Sequence, residues 1–261
     1  MDSLRWENAY LKKKKFKSKL LIFSAIFLLL AFFVGYIALF SDWFNISNIV
    51  LSGHEQLGTE DLLSAINNYL DKKVLLFVSG KNSIFFSEEK LADFITKSFP
   101  VISNVSVKKE FPDKISVVFK ERRPVLLVCS NAQNKCFYSD AEGVIYQDAP
   151  YSQGSLVVPV NVSQDLHEGL SLFSKNLVTG VISFRDSINE RLNAQVQRVE
   201  FGESLVFKTY EGWEVRVDKD LDFNQRFEDL DLLLKTQVKE NRSKLDYIDL
   251  TIPKRAYYKL K

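Results

Sequence analysis

The chain has 261 residues, of which 46% are hydrophobic and 26% charged, and its 35 basic and 33 acidic residues leave a net charge of only +2. So even a balance excludes a polycationic nucleic-acid binder, and so high an apolar share excludes a disordered chain. Two cysteines and two histidines exclude a disulfide-dense scaffold and leave few ligands for a zinc site.

The charge is not spread evenly. Arg5, Lys12, Lys13, Lys14, Lys15, Lys17 and Lys19 stand against Asp2 and Glu7 ahead of an uncharged run from Leu20 to Phe40. Twenty-one helical residues rise roughly 32 Å, enough for a hydrocarbon core of about 30 Å. The run is longer than a cleavable signal's apolar region, and no small-x-small site follows Leu39-Phe40-Ser41-Asp42-Trp43. We therefore expect an uncleaved anchor over residues 20–41, with residues 1–19 as a cytoplasmic basic tail. Without that tail's seven basic and two acidic residues, the exterior part holds 28 against 31, near −3. Nothing there invites nucleic acid.

Outside, Ile46–Ser52 alternates as a strand closed by Gly53-His54. Thr59 is placed to cap a helix with Glu60 and Asp61 in its first turn and Leu62, Leu63, Ile66, Tyr69 and Leu70 on one face. A short apolar run, Val74–Val78, leads to a Gly-Lys-Asn turn. Ser87 caps a second helix whose stripe is Leu91, Phe94, Ile95 and Phe99, and Pro100 ends it. Alternation around Val105, Val107 and then Ile115, Val117 and Phe119 predicts a hairpin turning at Glu110-Phe111-Pro112-Asp113. Strand, helix, helix, strand, strand is an α+β layer arrangement, here over residues 42–121.

Beyond Arg122 strands dominate: VLLVCS, CFYSD, GVIYQ, SLVVPVNV, VQRVEFG, SLVFKTY and WEVRVD, with helices within residues 172–192 and at Asp222–Val238. This predicts a mixed β-sheet domain with flanking helices over residues 122–261. Its last strand begins at LDYIDL, with Ile248, Leu250 and Ile252 on one side and Tyr247, Asp249 and Thr251 on the other. Cys129 and Cys136 flank the SNAQNK loop of a hairpin, either as a disulfide or as two buried thiols; the spacing leaves both open.

Catalytic signatures are sparse. His54 and His167 fall in turns, where a solvated or backbone-bonded imidazole is the expected state, and no nucleophile elbow, Walker or GxGxxG pattern occurs. We expect no catalytic residue, metal, cofactor or small-molecule substrate. Carboxylates are plentiful, so a membrane-tethered cell-wall hydrolase stays as the enzymatic alternative.

Taken in order, several stretches resemble one family: FNISNIVLSGHEQL, FSEEKLADFITKSFPVISNVSVKKEFPDKISVVFKERRPV, FYSDAEGVIY and LDYIDLTIPK. Together, behind a basic tail and one span, they resemble the bacterial cell-division proteins FtsQ and DivIB. The most specific pieces are Glu121-Arg122-Arg123-Pro124-Val125, Asp140 with Gly143, and Tyr247-Ile248-Asp249-Leu250. Two departures are Thr251, where the family often has arginine, and Asp218, where it often has glycine.

The resemblance implies a POTRA domain followed by a β domain, and a non-enzymatic scaffold at the division septum, anchored with its N-terminus inside. It implies FtsB/DivIC-like and FtsL-like bitopic proteins as partners, held by the C-terminal strand. A last strand with no successor is expected at a sheet edge, open to strand addition. Tyr247, Ile252, Lys254, Arg255, Tyr257 and Tyr258 are the candidate contacts, although the two final tyrosines and the lysines also suit simple core cover and protection from aggregation. Glu121, Arg122, Arg123 and Pro124 are assigned to the domain junction, with the arginines pairing with Glu121 or Asp140 to fix the angle between domains. A POTRA-bearing secretion or envelope-assembly component is the other reading; a lack of long alternating barrel strands speaks against it.

Overall fold

The computed structural model describes residues 3–53, 57–72, 79–150 and 158–261, with side chains from Ile22 onward. The expected positions of His54 and of the run Val74–Val78 lie outside the described residues. Two compact units result: residues 1–95 with 105–119, and residues 96–104 with 120–261.

In the first unit, helix α1 (Ser3–Phe40) carries the lysine-rich tail and the apolar run as one continuous rod. Its stretch Ile22–Phe40 is long and apolar enough to cross a membrane. Phe23, Phe27 and Phe32 are each more than 70% exposed, an apolar surface that suits lipid and not water. A 3₁₀ turn at Asp42–Phe44 leads into β1 (Asn48–Ser52).

Helix α2 (Thr59–Leu70) buries Leu62, Ile66 and Leu70, which sit four residues apart on one face. Thr59 does not cap it. Gly58 takes the extended cap conformation and offers no side chain, so Thr59 becomes the first helical residue. Helix α3 (Glu88–Ser98) buries Leu91 and Ile95, and Ser87 Oγ accepts the Lys90 N–H at 3.4 Å as expected of its cap. Tyr69 of α2 meets Phe94 of α3, their ring centroids 4.7 Å apart. Strands β2 (Ile102–Glu110) and β3 (Lys114–Glu121) form the expected hairpin. The sheet order is β1-β3-β2, with β1 parallel to β3 from Asn48 opposite Lys114 to Ser52 opposite Val118.

In the second unit, β4 (Leu126–Ser130), β5 (Lys135–Ser139) and β6 (Ile145–Ala149) form a meander. Then come β7 (Val158–Val162), α4 (Lys175–Arg191), β8 (Val196–Phe201), β9 (Leu205–Thr209), β10 (Glu214–Val217) and α5 (Phe223–Leu233). A π-helical turn and a 3₁₀ turn carry α5 on to β11 (Leu245–Leu250), and β12 (Tyr257–Leu260) follows. Among the described residues these nine strands make one sheet, ordered β12-β11-β10-β9-β8-β7-β4-β5-β6.

β7-α4-β8 and β10-α5-β11 are parallel crossover units, which place both helices over one face. That face is a single apolar layer. One cross-strand row runs Phe137, Val128, Val160, Val199, Phe207, Val215, Ile248. Each of the seven is at most 5% exposed, beneath Phe184, Phe223 and Phe227 of the helices. At ~25 cal/mol per Å² of apolar surface removed from water, so complete an apolar row contributes substantially to this unit's stability.

The last strand differs from expectation. β11 stops at Leu250, and a turn containing Ile252, Pro253 and Lys254 sends the chain back as β12, which takes the edge. Ile252 lies in that turn, 47% exposed, and does not continue the β11 stripe.

Candidate protein-docking edge

Among the described residues, the second unit's sheet ends in β12, which pairs with β11 alone. Opposite neighbours are Asp249 with Tyr257, Ile248 with Tyr258, Tyr247 with Lys259 and Leu245 with Leu260. Tyr258 therefore closes the buried row described above, at 39% exposure against 0% for its neighbour Ile248. The Lys261 N–H donates to the Lys244 carbonyl at 2.8 Å. Antiparallel alternation then turns the backbone groups of Tyr258 and Leu260 away from β11, unpaired within the sheet.

On the face opposite the helices a second row crosses the same strands: Arg198, Lys208, Glu214, Tyr247, Lys259. It carries both signs, with Arg198, Lys208 and Lys259 positive and Glu214 negative. Glu200 binds Lys208 at 2.9 Å and Arg198 at 3.2 Å, and Glu214 binds Arg216 at 2.6 Å. Burial alone would raise the Glu200 carboxyl, but its bonds to Lys208 and Arg198 leave it below its ordinary value. The Arg216 guanidinium is raised, first by its bond to Glu214, and lies 4.3 Å from the Tyr247 ring centroid, with Lys259 at 5.9 Å. Tyr247 is thus held by cations at its own sheet face. Tyr257, Tyr258, Arg255 and Lys254 lie on or just before the edge strand.

The turn before β12 is fixed from below. Arg226 of α5 is 5% exposed, pairs with Asp229 at 2.6 Å and donates to the Ile252 carbonyl at 3.3 Å. Thr251 turns back onto Asp249, its hydroxyl 2.6 Å from Oδ1, so the threonine at this point serves the turn. Between α5 and the turn lies a groove of about 280 Å³, lined by Leu232, Leu233, Thr236, Lys254, Arg255 and others. Leu232 is 62% exposed there. Leu232, Arg226, Lys259 and Leu260 were not among the candidates drawn from sequence; a Tyr-Tyr-Lys-Leu run after a proline was the available signal for the last two.

The spacing of Asp140 and Gly143 has a local cause. Asp140 Oδ1 accepts the N–H groups of Glu142 and Val144, each at 3.0 Å. Gly143 has φ +80°, and a Cβ there would sit 2.1 Å from the Phe173 carbonyl oxygen. Arg122 reaches this carboxylate as an ion pair, and donates through Nε to the Pro100 carbonyl at 2.8 Å. All these partners lie in the second unit. Glu121 is buried, Arg123 and Pro124 exposed. Burial first, then the Asp140 charge, push the nearby Tyr146 phenol up to about 12.

Cys129 and Cys136 face each other across β4 and β5 and form a disulfide. His167 Nδ1 lies 3.1 Å from the Glu168 carbonyl, a backbone-bonded loop histidine. Among the described residues, no group of three or more His, Cys, Asp or Glu side chains could hold a metal ion.

Residues 44–122 match the family model of the POTRA domain, FtsQ-type. The chain is also 28% identical over 105 residues to the cell division protein DivIB of Clostridium acetobutylicum, covering 40% of this chain. The matched stretch spans 37% of that relative's length.

Proposed function

We propose, from the match of residues 44–122 to the FtsQ-type POTRA model, that the chain is a non-enzymatic cell-division scaffold, anchored by its apolar helix with the N-terminus in the cytoplasm. It works at the septum by holding other membrane-tethered division proteins of the FtsB/DivIC and FtsL kinds. The observation that carries this reading is the open edge at β12, where a buried apolar row ends in Tyr258 with outward backbone groups beside it.

Strand addition suits that edge. A partner strand would gain main-chain hydrogen bonds from Tyr258 and Leu260, and its alternate side chains would meet two different surfaces. On the helix side, an apolar residue extends the row beyond Tyr258 and toward Leu232. On the other side it meets Tyr257 and Lys259. Residues 253–261 hold Lys254, Arg255, Lys259 and Lys261 and no acid, so acidic residues flanking the partner's strand would be steered in and fixed in register. Confinement to a membrane raises the effective concentration of tethered partners, so each contact can be weak and still persist.

Deleting Pro253–Lys261 is a blunt test, because it bares β11 as a new edge. A sharper one compares Tyr258→Pro with Tyr258→Ala in the full chain. Proline removes an outward N–H and leaves the β11 ladder intact, so co-purification with an FtsB/DivIC-type protein should be lost with proline and only weakened with alanine. Equal binding by the proline variant would exclude strand addition. Depletion in the host should give filamentous, undivided cells; normal division would exclude the scaffold role.

A further inference from the structure

The end of the apolar helix is built into the folded part of the first unit. Asn82 is 1% exposed and donates its side-chain amide to the Ala38 carbonyl at 2.9 Å, while its own oxygen accepts the Ile84 N–H at 3.0 Å. Ala38 carries one of the last four carbonyls of α1, which have no partner inside the helix. Backbone bonds tie the same loop to the segment leaving the helix: Ile46 N–H to the Lys81 carbonyl at 2.8 Å, and Ser83 N–H to the Phe44 carbonyl at 2.7 Å. Ser83 Oγ, in turn, donates to the Pro112 carbonyl at 2.7 Å, which brings in the β2–β3 turn.

This juxtaposition sets a height. Ala38 stands two residues before the end of α1, about 3 Å along its axis. With the apolar run filling a hydrocarbon core of about 30 Å, a side chain hydrogen-bonded to Ala38 is at the boundary between acyl chains and headgroups. The segments carried to that level bear exposed apolar side chains: Trp43 at 74%, Ile84 at 39%, Phe85 at 40% and Phe111 at 64%. Lys109 lies beside them, 6.0 Å from the Phe111 ring centroid and donating to the Phe86 carbonyl at 3.1 Å. Aromatic groups edged by a lysine are the composition of an interfacial belt. In water these side chains would be an unexplained apolar patch. Against lipid they are continuous with the span.

We propose that loop 82–86 and the 111–113 turn form a wedge seated in the outer boundary of the lipid bilayer, locked to the span through Asn82. The first unit then stands on the membrane at a fixed height and tilt and does not swing from a flexible stalk. The inference rests on the reading of α1 as an anchor.

Nitroxide labels on the full chain in phosphatidylcholine–phosphatidylglycerol vesicles separate the two ideas. Phe33→Cys, Phe85→Cys and Phe111→Cys are labelled in turn, the two native cysteines being joined to each other. The collision ratio with oxygen over a nickel chelate is read against spin-labelled lipids and a water-soluble nitroxide. Position 33 deep in the core, with 85 and 111 several-fold above the aqueous baseline, is the expected result. A deep label at 33 with aqueous labels at 85 and 111 overturns the wedge alone; an aqueous label at 33 overturns the anchor. In the Ile84→Ser, Phe85→Ser double variant, the label at 111 should fall toward the aqueous baseline. An unchanged ratio there would show that these side chains do not seat the turn, and the wedge fails.

Discussion

Arg226, 5% exposed within α5, donates to the carbonyl of Ile252, twenty-six residues away at the turn before the edge strand. A buried cation thus holds the launch point of the strand we assign to docking. Arg226→Ala removes that bond and leaves Asp229 without its cation, which should cost roughly 2–3 kcal/mol. Denaturant unfolding of the full chain in detergent measures the cost. Partner affinity should fall as well, since the turn that positions Tyr257 and Tyr258 is loosened.

Arg122 is a second, partly buried cation with a dual task, bonding the Pro100 carbonyl through Nε and the Asp140 carboxylate through Nη1. Its side chain is 12% exposed and that of Asp140 8%. Removing one member of so buried a pair costs roughly 3 kcal/mol, so Arg122→Ala should lower the unfolding midpoint sharply. Arg122→Lys should recover little, because one ammonium cannot make both bonds with the geometry of a guanidinium.

Acid should loosen the second unit through Glu211. Burial works to raise this carboxyl, but the hydrogen bonds from Arg242 and from Trp213 Nε1, and the Arg242 charge, bring it below its ordinary 4.5. A carboxyl lowered in the folded state contributes stability above its unfolded value, and loses that contribution as pH falls through the folded value. Arg242→Ala should cost about 1 kcal/mol at pH 7, the groups being partly exposed. The difference from the parent should shrink below pH 4.5, as followed by unfolding curves at several pH values.

Reduction of the Cys129–Cys136 disulfide should be mild. The loop it closes has a sequence separation of only 7, so the denatured chain regains little freedom, about 2–3 kcal/mol at most. The flanking β4 and β5 lie toward the β6 end of the sheet, remote from β12. Reducing agent should lower the thermal midpoint by a few degrees and leave partner binding unchanged.

Much of this architecture is legible in local pattern. The stripes Leu62-Ile66-Leu70 and Leu91-Ile95 repeat at helical spacing, and the parity of Ile115, Val117 and Phe119 gives the hairpin its buried face. The sequence leaves Arg122 and Arg123 a choice between Glu121 and Asp140, and Arg122 pairs with Asp140. What stayed hidden depends on distance or on absent side chains. Gly58 caps α2 through backbone conformation alone, so Thr59 drew the assignment. The Gly-Lys-Asn turn reads as a surface turn, whereas Asn82 is buried and bonds Ala38, forty-four residues earlier, a contact no local pattern announces. β12 is four residues long and follows a proline, too short for alternation to declare itself, so the sequence alone points to the LDYIDL strand as the edge.

Docking by strand addition depends on the outward amides of β12. Hydrogen exchange on the full chain in lipid, with and without an FtsB/DivIC-type protein, reads them one by one. Tyr258 and Leu260 should exchange quickly alone and become protected in the complex. Amides at these two positions that exchange at the same rate in a saturated complex would contradict strand addition.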